Sequence, residues 1–147
     1  MIELGTHQHT LAIYERNGTG ATFQCALDLT YGDLHAWYEP VHFALVDVLR
    51  FAAELEAVID ARRTVARLVA VRPTAPGIAL ILTPNRAGSA DYRLRLDVEQ
   101  ARAGMLLEPE HAAVTLDVPH TSLLTAFREV YQLLPDALDT PLRPRLI

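Results

Sequence analysis

The stretch Phe23-Gln24-Cys25-Ala26-Leu27-Asp28-Leu29-Thr30-Tyr31 is apolar at every odd position and polar at every even one except Ala26. Side chains alternate across a strand, so a period of two turns one face to a core and the other to water. Half-wetted strands of this kind belong to antiparallel sheets. Upstream, Thr10 to Arg16 reads as a weaker strand. Asn17-Gly18-Thr19-Gly20 between them tolerates positive φ, so the two strands are expected to form a hairpin. Downstream, Gly32-Asp33 breaks the alternation, and Leu34 to Glu39 reads either as a short strand or as a helical turn.

The period changes at Pro40. Proline suits the first turn of a helix, where its missing N–H costs nothing. From there Val41, Leu45, Val48, Ala52, Leu55 and Ile59 recur at steps of four and three, which is one face of an α-helix. Asp47, Arg50 and Glu54 fall on the other face at ion-pair spacing, worth about 0.2–0.5 kcal/mol per pair. A helix over 41–62 is predicted.

Val65 to Arg72 follows as a strand, closed by Pro73-Thr74-Ala75-Pro76-Gly77. Ile78 to Thr83 suits a central strand, and Asn85 to Ala90 a polar loop. Tyr92 to Val98 then alternates cleanly, as do Val114, Leu116 and Val118 with Thr115 and Asp117. A second helix over 121–134 carries Leu123, Phe127, Val130 and Leu134 on one stripe, with Pro135 as its stop. No internal repeat is evident.

The expected order is β-β-(β)-α-β-β-β-β-α. The fold class is α+β: a single antiparallel sheet with two amphipathic helices packed on one face. Residues 1–134 form one domain, and 135–147 a proline-containing flexible tail.

Composition narrows the function. Of 147 residues 50% are hydrophobic, so one core can be built and wholesale disorder is excluded. No apolar run reaches the ~18–20 residues of a membrane span. Met1-Ile2-Glu3-Leu4 lacks the pattern of a secretory signal, and Cys25 is the only cysteine. A cytoplasmic protein is expected. Thirteen basic residues against 18 acidic ones give a net charge of -5, and no basic cluster suited to nucleic acid appears.

Chemistry-bearing motifs are sparse. His35, Glu39 and His42 have the spacing of a helical ligand set, but Pro40 interrupts it. His7 and His9 could chelate from a strand but lack a third ligand. Glu108, Glu110 and His111 flank Pro109 in what reads as a solvated turn. Ser89 and Ser122 lack nucleophile-elbow surroundings, and Cys25 falls at a core phase. Phosphate loops and dinucleotide fingerprints are missing. No catalytic residue, metal or cofactor is assigned.

Arg93 and Arg95 read as an exposed row in cross-strand pairs with Asp117 or Asp97. The binding candidates are Trp37, Tyr38 and Glu39, with Asp28 and Asp33 nearby. Adjacent aromatics on a strand point opposite ways, so one is core and one a surface anchor.

The hairpin, the run Val46-x-x-x-Arg50-Phe51-x-x-x-Leu55, the strand Ala66-Arg67-Leu68-Val69 and the opening Asp117-x-x-His120-Thr121-x-Leu123-x-x-x-Phe127 together resemble WapI-type bacterial immunity proteins and related small domains. The resemblance is one of pattern over most of residues 1–134, and it carries over no site residue. It implies a single-domain protein that binds a toxin domain or another partner and performs no chemistry. A monomer or homodimer is expected, and the charge and hydropathy above give no reason to expect nucleic acid or membrane as partner. A competing resemblance is to hot-dog acyl-thioesterases. There Asp28 to Tyr38 loosely resembles the acidic-aromatic stretch before the long helix, which implies a small hydrolase, while the helix over 121–134 fits that fold less well.

Overall fold

The computed structural model describes residues 1–16, 22–71, 77–85, 91–100 and 110–133. Four strands open the chain: β1 (Ile2–Gly5), β2 (His9–Glu15), β3 (Thr22–Tyr31) and β4 (Leu34–Ala44). Helix α1 (Leu45–Ile59) follows. Four more strands come next: β5 (Ala66–Val69), β6 (Gly77–Pro84), β7 (Tyr92–Gln100) and β8 (Glu110–Val118). Helix α2 (His120–Leu133) closes the series. The fold is α+β, and every strand pairing is antiparallel.

The single sheet is corrected to two. One has the order β1-β2-β3-β4 and the other β5-β6-β7-β8. Eight strands at about 4.8 Å would span about 38 Å, and a helix covers only about 10 Å of a sheet face. Two helices therefore could not cover one continuous apolar face. Divided into two sheets, the inner faces and the helices close on one shared core. It gathers Leu11, Leu27 and Leu29 from the first sheet, Leu80, Leu94 and Leu96 from the second, Leu55 from α1 and Phe127 from α2.

The helices are not on one sheet face either. Helix α1 leaves β4 and packs on β5 of the second sheet, while α2 leaves β8 and packs on β1 of the first. The chain is thus two successive four-strand-plus-helix units, each lending its helix to the other's leading strand. That repeat is one of topology, with no matching repeat in the sequence. The seam is tied by Val71 N–H, which donates to His42 O at 2.7 Å.

One further expectation is corrected, one open reading is decided and one strand is added. The predicted helix start at Pro40–Val41 is strand: β4 runs through both residues, and α1 begins at Leu45. Because β4 is an edge strand, Pro40 removes no ladder bond that the sheet needs. The register slips between Cys25 and Leu27, placing an irregularity in β4 opposite Ala26. The ambiguous segment 34–39 is the first half of that strand. Finally, Ile2–Gly5 is an additional strand, paired with β2.

The hairpin of β2 with β3 has Leu11 opposite Leu29 and Ile13 opposite Leu27. Its turn, Asn17 to Gly20, lies outside the described residues, as do Pro73 to Pro76, Arg86 to Ala90, Glu108-Pro109 and the stop and tail from Leu134 onward. On α1 the ion pair Asp47–Arg50 forms at 3.1 Å, and Glu54 reaches Arg63 at 3.8 Å. Among the described residues, no helix is long and apolar enough to cross a membrane.

Helix α1 ends on a non-glycine residue in the left-handed region: Ala61 has φ 59. Asp60, Ala61 and Arg62 turn their N–H groups back onto the carbonyls of Glu56, Val58 and Ala57, the pattern of a helix C-cap. A Cβ is disfavoured there, so Ala61→Gly should stabilise the protein by about 0.5–1 kcal/mol. Chemical denaturation checks this; an unchanged or lower midpoint would contradict it.

Candidate functional site

The outer face of the first sheet is where the chemistry-bearing residues collect. Odd positions of β3 (Cys25, Leu27, Leu29) are buried in the core. Gln24, Ala26, Asp28 and Thr30 therefore point to the other side. Register places Tyr14 opposite Ala26, Trp37 opposite Asp28 and His35 opposite Thr30. Ala26 is fully buried although it lies on this outer side. Its small side chain leaves room for Tyr14 and Trp37, on strands flanking β3, to approach with ring centroids 5.7 Å apart.

Trp37 is 50% exposed yet firmly held. Its Nε1–H donates to Glu39 Oε2 at 3.0 Å, and Arg16 Nε donates to Glu39 Oε1 at 3.4 Å. The guanidinium carbon of Arg16 lies 6.0 Å from both the Tyr14 and Trp37 ring centroids, at the reach of a cation–π contact. Beside this group, His35 Nε2 and Asp28 Oδ1 sit 2.5 Å apart. The patch is an aromatic pair ringed by two carboxylates, one guanidinium and one imidazole.

The structure thus brings together Asp28, Trp37 and Glu39 of the five candidates. Tyr38 faces inward, opposite Leu27, and is partly buried against the core. Burial raises its phenol pKa above the ordinary value. Asp33 sits in the exposed turn between β3 and β4. Sequence reading missed Tyr14 and Arg16. The signal for Tyr14 was its alternation with Leu11 and Ile13 on β2, combined with the small Ala26 one strand away.

The alternative ligand sets fare differently. His35, Glu39 and His42 occupy a strand, so helical spacing never brings them together. His7 precedes β2, while His9 stacks on Tyr31 with centroids 4.2 Å apart. Among the described residues, no three His, Cys, Asp or Glu side chains gather as a metal site. Burial pushes the Cys25 thiol up to about 12, with Arg16 only partly offsetting it, so it is no ready thiolate. Ser122 Oγ accepts the Gly5 N–H at 3.2 Å. On the second sheet Arg93 reaches Asp117 at 3.9 Å, and Arg95 is bound by Asp97 at 2.7 Å.

A second cluster lies at the start of α2. Asp91 Oδ2 accepts the His120 N–H at 3.0 Å, capping the helix. Tyr92 Oη sits 3.1 Å from His120 Nδ1, with the two rings stacked at 5.9 Å. Burial, and next the Asp91 charge, raise the Tyr92 pKa, so its phenol stays protonated and can donate to the imidazole. In comparisons with known proteins, no family model, curated protein or solved structure matches the chain.

Proposed function

We propose that the chain is a non-catalytic binding domain whose outer first-sheet face docks a protein partner of basic character. The observation that carries this reading is Trp37: half-exposed, and held by Glu39, Tyr14 and Arg16. A large aromatic fixed before association loses little side-chain entropy on binding, and such residues dominate interface energetics. Asp28 and Glu39 beside it, with a net charge of -5, favour encounter with a positive surface. The resemblance to immunity proteins makes a toxin domain the partner class to test first, beginning with the product of the neighbouring gene. The setting this implies is the cytoplasm of a bacterium.

Trp37→Ala should weaken partner binding by about 2 kcal/mol or more, while leaving thermal stability nearly unchanged because the ring is half in water. Association should also slow as salt rises. Titration calorimetry and stopped-flow measurements check both; equal affinity of the variant would remove Trp37 as the anchor.

The runner-up is a small acyl-thioester hydrolase. One observation favours it, the contact of His35 with Asp28, which resembles a carboxylate-oriented general base. Thioester turnover by the purified chain, abolished by Asp28→Asn or His35→Ala, would replace the binding reading.

A further inference from the structure

Strand β5 forms one edge of the second sheet, and its side chains depart from the pattern of that sheet's outer face. Ala66, Leu68 and Ala70 are buried, so Val65, Arg67, Val69 and Val71 point outward. On β7 and β8 the outward row is polar, with Arg93, Arg95, Thr115 and Asp117. On β5 it is three valines and one arginine, with Val69 42% and Val71 37% exposed. The register carries this strip onto β6, where Ala79 lies beside Val69 and Ile81 beside Arg67. An apolar strip bordered by polar strands has the make-up of an association surface.

The backbone of the same strand is unfinished. Ala70 N–H donates to Ile78 O at 2.8 Å, which turns the even residues of β5 toward β6. The odd residues therefore direct their N–H and C=O groups off the sheet. Val71 follows this rule, because its N–H donates to His42 O of β4 at 2.7 Å. Beyond His42 the chain turns into α1, and among the described residues no backbone hydrogen bond reaches Arg67 or Val69 from the open side. A groove of about 420 Å³ lies there, with Val65, Arg67 and Val69 on one side and Asp47, Arg50 and Glu54 of α1 on the other.

We propose that β5 pairs with β5 of a second copy, antiparallel about a twofold axis at Leu68, so that the two second sheets become one. In that register Arg67 lies opposite Val69 of the second copy, and Val69 opposite Arg67. The N–H and C=O groups left open at these two residues on each copy then satisfy one another, and none is left over. No two arginines stand directly opposite, and each Arg67 stem lies along a valine. Charge at the joint also suits a like copy. The groove mixes Asp47 and Glu54 with Arg50, Arg63 and Arg67, in a chain whose net charge of -5 otherwise keeps copies apart. Such a self-complementary twofold joint is the commonest form of protein dimer. It lies on the second sheet and does not require a partner at Trp37.

Sedimentation of the full chain from about 1 µM to about 1 mM should show a mass of 16.3 kDa passing to twice that value. Amide exchange over the same range should show Arg67 and Val69 gaining protection with concentration. Val71, already bonded to His42, should be protected throughout. Val69→Lys sets a charge at the joint, as edge strands that avoid pairing do, and should weaken the dimer about tenfold or more. Its side chain points to solvent, so the monomer should melt within about 2 °C of the parent. Val69→Pro removes an N–H that serves only the joint and should act in the same direction. Trp37→Ala should leave dimerisation unchanged.

A parent chain that stays monomeric to about 1 mM would overturn the proposal. So would a dimer that Val69→Lys does not weaken, or one that Trp37→Ala abolishes, because the joint would then lie elsewhere. The exchange measurement uses the parent alone and decides the matter even where a variant fails to fold: a dimer whose Arg67 and Val69 amides stay unprotected does not pair through β5.

Discussion

Replacing Phe127 with alanine should lower the unfolding free energy by about 3–5 kcal/mol. The ring is 1% exposed and sits on the buried side of α2 with Leu123, Ala126 and Val130. Helix α2 packs on β1 of the sheet to which it is not joined by sequence, and it also meets α1. The cavity would therefore open where the two units lock together, where neither sheet can close it without shifting the other. For a domain of this size each kcal/mol is worth about 2–4 °C in melting temperature, so the change is easily read. A loss below about 1 kcal/mol in a two-state denaturation would mean that α2 is not part of the common core.

That helix was legible because its period was undisturbed: Leu123, Phe127 and Val130 are buried where the stripe put them. The start of α1 was not, and the reason is arithmetic. Val41 lies four residues before Leu45, a step common to the strand period of two and the helix period of 3.6. Val41 and Phe43 are buried as alternating strand residues, after which Val48, Ala52 and Leu55 take over as helix residues. Pro40 suited either reading. An edge strand tolerates it, and edge status depends on sheet order, which local pattern does not encode.

The number of sheets is a similar case. The alternation of Tyr92 to Val98 specifies one covered and one wet face, but not which strands share that covering. Only the limited span of two helices argues for division, and that argument needs all eight strands. The β1 strand, just four residues long, was needed to complete the count.

The candidate site was half legible for the same reason. Asp28 fell at a polar position of an alternating strand, but for Trp37 and Glu39 the local pattern left strand and helical turn open and did not say which of Trp37 and Tyr38 faces out. Tyr14 and Arg16 join them across β3, through a register that turn chemistry and pairing fix and a single strand does not show. The packing of α2 on the first sheet lay further beyond reach. Thr125 and Glu129 line one groove with Thr10 and Asp28 only because α2 returns to β1, a contact between opposite ends of the chain.

That return depends on one residue that sequence reading passed over. Gly5 has φ +130, a region that side chains other than glycine's rarely adopt, and a Cβ there would stand 2.1 Å from His9 O. His9 O cannot easily yield, because it accepts the Thr6 N–H at 2.9 Å in the turn joining β1 to β2. The Gly5 N–H itself donates to Ser122 Oγ, tethering β1 to the first turn of α2. Gly5→Ala should therefore cost about 2–4 kcal/mol, combining backbone strain with displacement of the turn. Gly32 supplies the internal control: it also has positive φ, +60, but a Cβ added there would meet nothing within 4 Å. Gly32→Ala should lose only about 1 kcal/mol, the left-handed backbone term alone. Hydrogen exchange should separate them further, with faster exchange across β1 and the start of α2 in the Gly5 variant only. Equal costs for the two substitutions would show that the β1 turn is free to relax and that the tether to α2 contributes nothing to stability.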